Sequence, residues 1–122
     1  MNILAIDYGS KNIGLAWCDT GIGAPLPFGI AKSAVEVEKI VIEERIDKVV
    51  IGLPIGIDGK ENANTERIRK FGDGLADKTG VSVEYFDERF SSQAADRMGA
   101  GVSRDEKSAM IILENWLQRN KK

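Results

Sequence analysis

The sequence predicts a mixed α/β domain, and three observations carry that prediction. Two short segments, Ile3-Leu4-Ala5-Ile6 and Lys48-Val49-Val50-Ile51-Gly52-Leu53, are apolar or nearly so, as in strands buried on both faces of a sheet. From Ser33 onward, helix-period and strand-period segments alternate, giving the overall order βββαβαβαα. The length, 122 residues, fits one domain spanning 1–122.

The elements follow in chain order. Ile3–Ile6 is the first strand, and Asp7-Tyr8-Gly9-Ser10-Lys11-Asn12 supplies turn chemistry. Ile13–Cys18 reads as its hairpin partner. Gly21–Pro27 is a Gly/Pro loop, and Phe28-Gly29-Ile30 is a short third strand. Ser33–Ile46 has helical spacing, with Val37, Ile40, Val41 and Glu44 on one stripe. Lys48–Leu53 is a strand stopped by Pro54, and Asp58-Gly59 marks a turn. Thr65–Lys78 predicts a helix with Ile68, Phe71 and Leu75 facing inward, although Gly72 and Gly74 each weaken it by roughly 1 kcal/mol relative to alanine. Val81–Phe86 alternates as a strand, and Ser92–Met98 predicts a short helix. Ser103–Gln118 has the clearest helical period, through Ala109, Ile112, Leu113, Trp116 and Leu117.

Composition narrows the chemistry. Hydrophobic residues make up 43% and charged residues 30%, which argues against disorder. The chain has no histidine and one cysteine, Cys18. That excludes His-based triads and zinc sites built on histidine or thiolate. Cys18 sits in an apolar run and is expected to be a buried, inert thiol. Hydrolytic chemistry is left to carboxylates, hydroxyls, lysine or a hard cation such as Mg²⁺ or Mn²⁺. No apolar run approaches the roughly 18 residues of a membrane span, and no signal peptide pattern opens the chain. A cytoplasmic protein is expected. The net charge is −2, with Lys/Arg 5 and Asp/Glu 8 in residues 1–59 against 12 and 11 in residues 60–122. This mild acidity predicts few phosphate contacts in any nucleic-acid complex.

Three motifs carry candidate chemistry. In Asp7-x-Gly9-x-Lys11-x-x-Gly14, an acid ends a buried strand, at the sheet edge where α/β proteins usually bind ligands. Asp7 either anchors a metal site or closes an Asx-turn. Asp87-Glu88-Arg89 follows the last strand and combines adjacent acids with a guanidinium suited to phosphate; a solvated loop is the alternative. Successive side chains diverge at a strand end, so Asp87 and Glu88 are not expected to share one role. Asp105 lies in the first turn of the last helix, where Ser103 and Glu106 form a capping box. It either complements the helix dipole or uses the capped turn as a rigid platform for a metal ligand. Arg67-x-Arg69-Lys70 reads as a solvated face or a phosphate track. Tyr8, Phe86 and Phe90 read as packing or as base-stacking rings.

These segments resemble the YqgF family. Ile6-Asp7-Tyr8-Gly9-Ser10-Lys11, Val50-Ile51-Gly52-Leu53-Pro54, Asp87-Glu88-Arg89-Phe90-Ser91-Ser92, and Asp105 with Ser108 through Glu114 occur in that family's order over nearly the whole chain. Its members are described as Holliday junction resolvase-like (RuvX-type) proteins and as pre-16S rRNA nucleases. The resemblance implies an RNase H-like fold: a five-stranded mixed sheet of order 3-2-1-4-5, with the second strand antiparallel and helices on both faces. It implies Asp7, Glu88 and Asp105 as catalytic residues and as ligands of Mg²⁺ or Mn²⁺, with Lys11 and Arg89 on substrate phosphates. The fifth strand is then two strand spacings, roughly 9–10 Å, from the first, so Glu88 must lean inward. Asp87 or Asp58 stands next should it point away.

The expected function is metal-dependent phosphodiester hydrolysis in structured nucleic acid, at the 5′ end of pre-16S rRNA. The partner would be RNA or branched DNA, and the protein a monomer or homodimer. A Holliday junction resolvase is the alternative enzyme; a non-catalytic nucleic-acid-binding module is the alternative class.

Overall fold

The structure, a computed structural model, describes residues 1–9, 11–54, 62–87 and 102–119. Its strands are β1 (Asn2–Tyr8), β2 (Ile13–Asp19), β3 (Leu26–Ala31), β4 (Lys48–Leu53) and β5 (Ser82–Asp87). Its helices are α1 (Ala34–Glu43), α2 (Ala63–Thr79) and α3 (Arg104–Arg119). The sheet order is β3-β2-β1-β4-β5, as the family resemblance implies. β2 runs antiparallel to both β1 and β3, whereas β1, β4 and β5 are parallel.

Strand alternation divides the interior into two cores. Leu4 and Ile6 of β1, with Leu15, Val49 and Ile51, pack under α1 and α2 through Val37, Val41, Ile68, Phe71 and Leu75. Ile3 and Ala5 of β1, with Ala16, Val50 and Phe86, pack under α3 through Ala109, Ile112, Leu113 and Trp116. β1 and β4 therefore bury both faces, which is why they read as continuous apolar runs. Cys18 is fully buried in the α3 core, as expected of an inert thiol. β4 lies between β1 and β5, as the resemblance requires.

Several boundaries differ from the sequence reading. The first strand continues through Asp7 and Tyr8, which pair with Gly14 and Ile13, so Asp7 belongs to the ladder rather than the turn. β3 is longer than Phe28–Ile30 and includes Pro27, which is tolerated because β3 is an edge strand. α1 stops at Glu43 instead of reaching Ile46. Arg45 takes φ 52, and the chain turns so that the Ile46 N–H bonds the Val41 carbonyl.

α2 starts earlier than Thr65, at a capping box between Asn62 and Thr65, and continues through both glycines. Gly72 is the point of closest approach to the sheet: a Cβ there would lie 2.9 Å from Ile51 Cδ1 and would also strike the Tyr85 ring. Its helix-propensity cost is offset by this close packing. The expected turn at Asp58-Gly59 and helix at Ser92–Met98 lie outside the described residues.

Candidate active site

Asp7 is reached from the alternation of β1. Ile3 and Ala5 face α3, so Asp7 faces α3 as well, at the carboxyl end of a strand with paired neighbours on both sides. The antiparallel register places Gly14 directly beside it. Gly14 is where α3 lands. A Cβ on Gly14 would overlap the Asp105 carbonyl group and lie 3.0 Å from Asp105 Cβ. Only a residue without a side chain lets the first turn of α3 come this close to β2.

The start of α3 is fixed by the capping box that the sequence predicts. The Glu106 N–H donates to Ser103 Oγ at 3.2 Å, and the Ser103 hydroxyl donates to Glu106 Oε1 at 2.8 Å. The Ser103 N–H also reaches Glu106 Oε1, at 3.4 Å. Capping and site-building are thus compatible: the capped turn holds Asp105 over the Asp7–Gly14 pair.

Asp105 acts on Asp7. Burial raises the Asp7 carboxyl above its ordinary value, and the Asp105 carboxylate raises it further. A hydrogen bond from Ser108 opposes both effects. Ser108 lies three residues after Asp105, on the same helical face. Its hydroxyl has one proton, which can serve Asp7 or the Arg104 carbonyl 3.1 Å away. Ser108→Ala is therefore expected to raise the Asp7 pKa further. The acidic limb of a cleavage pH profile should move to higher pH, while the plateau above it changes little. A limb that stays in place would remove Ser108 from the site.

Asp105 has a second neighbour. Asn12 Nδ2 approaches Asp105 Oδ2 at 3.4 Å, and Lys32 Nζ donates to Asn12 Oδ1 at 2.6 Å. Sequence reasoning missed Ser108, Gly14's packing role, Asn12 and Lys32. The i, i+3 spacing from Asp105 could have indicated Ser108. Nothing local signals Lys32, which is 73 residues from Asp105 in the chain.

The other expected site residues divide clearly. Lys11 is exposed in the β1–β2 turn. Glu88, Arg89, Phe90 and Asp58 lie outside the described residues. Asp87 shares the strand parity of Val83 and Tyr85, which pack on the α1/α2 side, opposite Asp7. Tyr8 stacks on Phe71 at 4.3 Å between ring centroids and lies under the Arg67 guanidinium. Phe86 is buried beneath α3. A cavity of about 680 Å³ lies beside Thr20, Pro25, Trp116 and Leu117, beyond the opposite end of β2, and neither acid lines it.

The donor chemistry fits a hard divalent cation. Asp7 and Asp105 offer carboxylate oxygens from two rigid elements, and a cation between them would relieve their mutual repulsion. Among the described residues this is a pair of acids rather than a set of three.

Comparison with known proteins agrees with this architecture. The family model described as "RuvX: Holliday junction resolvase" matches residues 1–119. A protein of Agathobacter rectalis named "Putative pre-16S rRNA nuclease" is 35% identical over 135 residues, covering 96% of this chain and 94% of that protein. The protein of the same name from Pectobacterium carotovorum subsp. carotovorum is 39% identical over 131 residues, covering 95% and 94%. Among solved structures, Thermus thermophilus RuvC in complex with a Holliday junction substrate superposes with a TM-score of 0.70 at 12% identity. That match covers 98% of this chain and 94% of RuvC, and it shows a shared fold.

Proposed function

Because the chain belongs to the RuvX family, we propose that residues 1–122 form one nuclease domain that hydrolyses phosphodiester bonds in structured nucleic acid, at the 5′ end of precursor 16S rRNA. The observation that carries this reading is the convergence of Asp7 and Asp105 on one face of the sheet, close enough for one carboxylate to perturb the other. The names of the relatives support the choice of RNA. That substrate assigns the reaction to the cytoplasm. Among the described residues, no helix is long and apolar enough to cross a membrane.

Asp7 and Asp105, with Glu88 as the third acid, would hold Mg²⁺ or Mn²⁺. Such an ion neutralises phosphodiester charge and makes water a better nucleophile near neutral pH. Asp87 shares the strand parity of Val83 and Tyr85, on the α1/α2 side of the sheet, which supports taking Glu88 as the acid of that motif. The protein's part is to hold the two carboxylates on rigid elements, and a hydrogen bond from Ser108 opposes the rise in the Asp7 pKa. Lys11 and Arg89 would take the phosphates flanking the scissile bond, positioning the strand without reading its bases.

A second enzyme reading, a Holliday junction resolvase, is favoured by the family description and the RuvC-like fold. Two symmetric cuts require two copies of the site, hence a homodimer. One experiment separates the readings. End-labelled pre-16S rRNA, single-stranded RNA and four-way DNA junctions are incubated with Mg²⁺, Mn²⁺ or EDTA, using wild type and Asp7→Asn. Metal-dependent trimming of the rRNA precursor that disappears in Asp7→Asn is the expected result. Paired junction cuts by a dimer would reassign the substrate. Equal cleavage by both proteins would overturn the mechanism, and binding without cleavage would mark a non-catalytic module.

A further inference from the structure

Three segments distant in sequence meet at the carboxyl end of β1. Lys32 follows β3, Asn12 precedes β2, and Asp105 lies in the first turn of α3. The Lys32 backbone is tied down, because its N–H donates to Glu36 Oε2 at 2.5 Å. Glu36 lies in the first turn of α1, where Ser33 Oγ accepts its N–H at 3.3 Å. The Lys32 side chain then reaches across the sheet edge to Asn12 Oδ1, and Asn12 Nδ2 faces Asp105 Oδ2.

The chemistry of this chain of groups is directional. An ammonium only donates hydrogen bonds, and an ionised carboxylate only accepts them. A primary amide between them satisfies both in one orientation, with oxygen toward lysine and nitrogen toward the carboxylate. Lys32 and Asp105 therefore favour the same amide orientation, and Lys32 anchors the amide in it. Without the lysine, the Asn12 amide loses the partner that holds its oxygen side and can swing away from Asp105. The contact with Gly14 fixes the backbone of Asp105, but it leaves the direction of the carboxylate free. The 3.4 Å contact from Asn12 supplies that direction.

We propose that Lys32 and Asn12 are positioning residues of the active site, a relay that aims the Asp105 carboxylate into the space it shares with Asp7. The inference rests on the metal-dependent nuclease reading. Lys32 is itself exposed, and the relay gives it a role other than holding a phosphate directly.

The test uses the whole protein and four variants: Lys32→Met, Lys32→Arg, Asn12→Ala, and Lys32→Met with Asn12→Ala. Mn²⁺ binding is measured by titration calorimetry without nucleic acid. The kcat and KM for cleavage are measured at two salt concentrations, and folding is checked by thermal melting. Lys32→Met and Asn12→Ala are each expected to weaken Mn²⁺ binding and lower kcat by about 10-fold, within the range for groups that orient metal ligands. KM should stay within about twofold, because uniform substrate binding is untouched. The double variant should be no worse than Asn12→Ala, because removing the amide already disconnects the lysine. Lys32→Arg keeps a donor at that position and should restore most of the kcat.

Additive losses, or a loss confined to KM that shrinks at high salt, would overturn the relay and make Lys32 a phosphate contact. Unchanged Mn²⁺ affinity and kcat in Lys32→Met would also overturn it. If wild type neither binds Mn²⁺ nor cleaves, the nuclease reading itself falls, and the relay with it. If wild type does both while Lys32→Met is unaffected, the relay alone falls.

Discussion

Replacing Asp7 by asparagine is expected to lower metal-dependent cleavage by at least about 10³-fold, equivalent to about 4 kcal/mol of transition-state stabilisation. The same substitution is expected to raise the thermal midpoint in metal-free buffer. The first effect follows from losing a carboxylate that would hold the metal, and the second from the electrostatics of the site. Burial and the neighbouring Asp105 disfavour a charged Asp7, so its folded-state pKa lies above the ordinary value. A carboxyl of this kind binds its proton more tightly in the folded state than in the unfolded state. Its contribution to stability is fully present below the unfolded pKa and is lost as pH rises through the folded pKa. At neutral pH, metal-free wild type thus carries a destabilising charge that asparagine lacks. The substituted amide could also donate to Asp105, turning repulsion into a hydrogen bond.

Calorimetric melts of both proteins in EDTA, from about pH 4 to pH 8, would show the midpoints diverging as pH rises, with the variant about 2–5 °C higher at neutral pH. Adding Mn²⁺ should stabilise wild type and not the variant, because only wild type gains a bound ion. A variant that melts lower than wild type in EDTA at pH 7 would show that Asp7 has a structural role and that its charge is not under strain.

Gly14→Ala should produce the largest structural effect of a single added methyl group. The new Cβ would overlap the backbone of Asp105, and neither β2, paired on both sides, nor the capped turn of α3 can yield cheaply. Overpacking of this kind costs about 2–3 kcal/mol, visible as a lower urea midpoint. The displaced turn carries Asp105, the proposed metal ligand, and a shift of about 1 Å at such a group can cost about 100-fold in rate. Gly74→Ala is the matched control. Nothing lies within 4 Å of a Cβ at Gly74, in the interior of α2. There the substitution should stabilise by about 0.5–1 kcal/mol and leave cleavage unchanged. Equal effects of the two substitutions would show that Gly14 is not the seat of α3.

What was legible in the chain follows from which interactions are local. β4 matches its sequence-read boundaries, Lys48–Leu53, because an uninterrupted apolar run ended by proline has few other solutions. The α3 stripe and its capping box were equally plain, since helical period and cap chemistry act within a few residues. The end of α1 was misread. Its apolar stripe continues to Ile46, but the chain reaches that buried position by a turn at Arg45 instead of more helix. The glycines of α2 were read as weak points, whereas Gly72 serves its packing against Ile51 and Tyr85.

At the site, the sequence by itself determined the kind of chemistry. The absence of histidine and an acid at the end of a buried strand both follow from residue identity and local pattern. Tertiary structure alone decided the grouping. Asp7 joins Asp105 because β1 alternation turns it toward α3 and because Gly14 leaves room for the helix to land. Lys32 and Asn12 join Asp105 because β3, β2 and α3 end at the same edge of the sheet. Local pattern can set what each side chain is and which way its element turns it. The distances between elements are set by packing, which is a property of the assembled sheet.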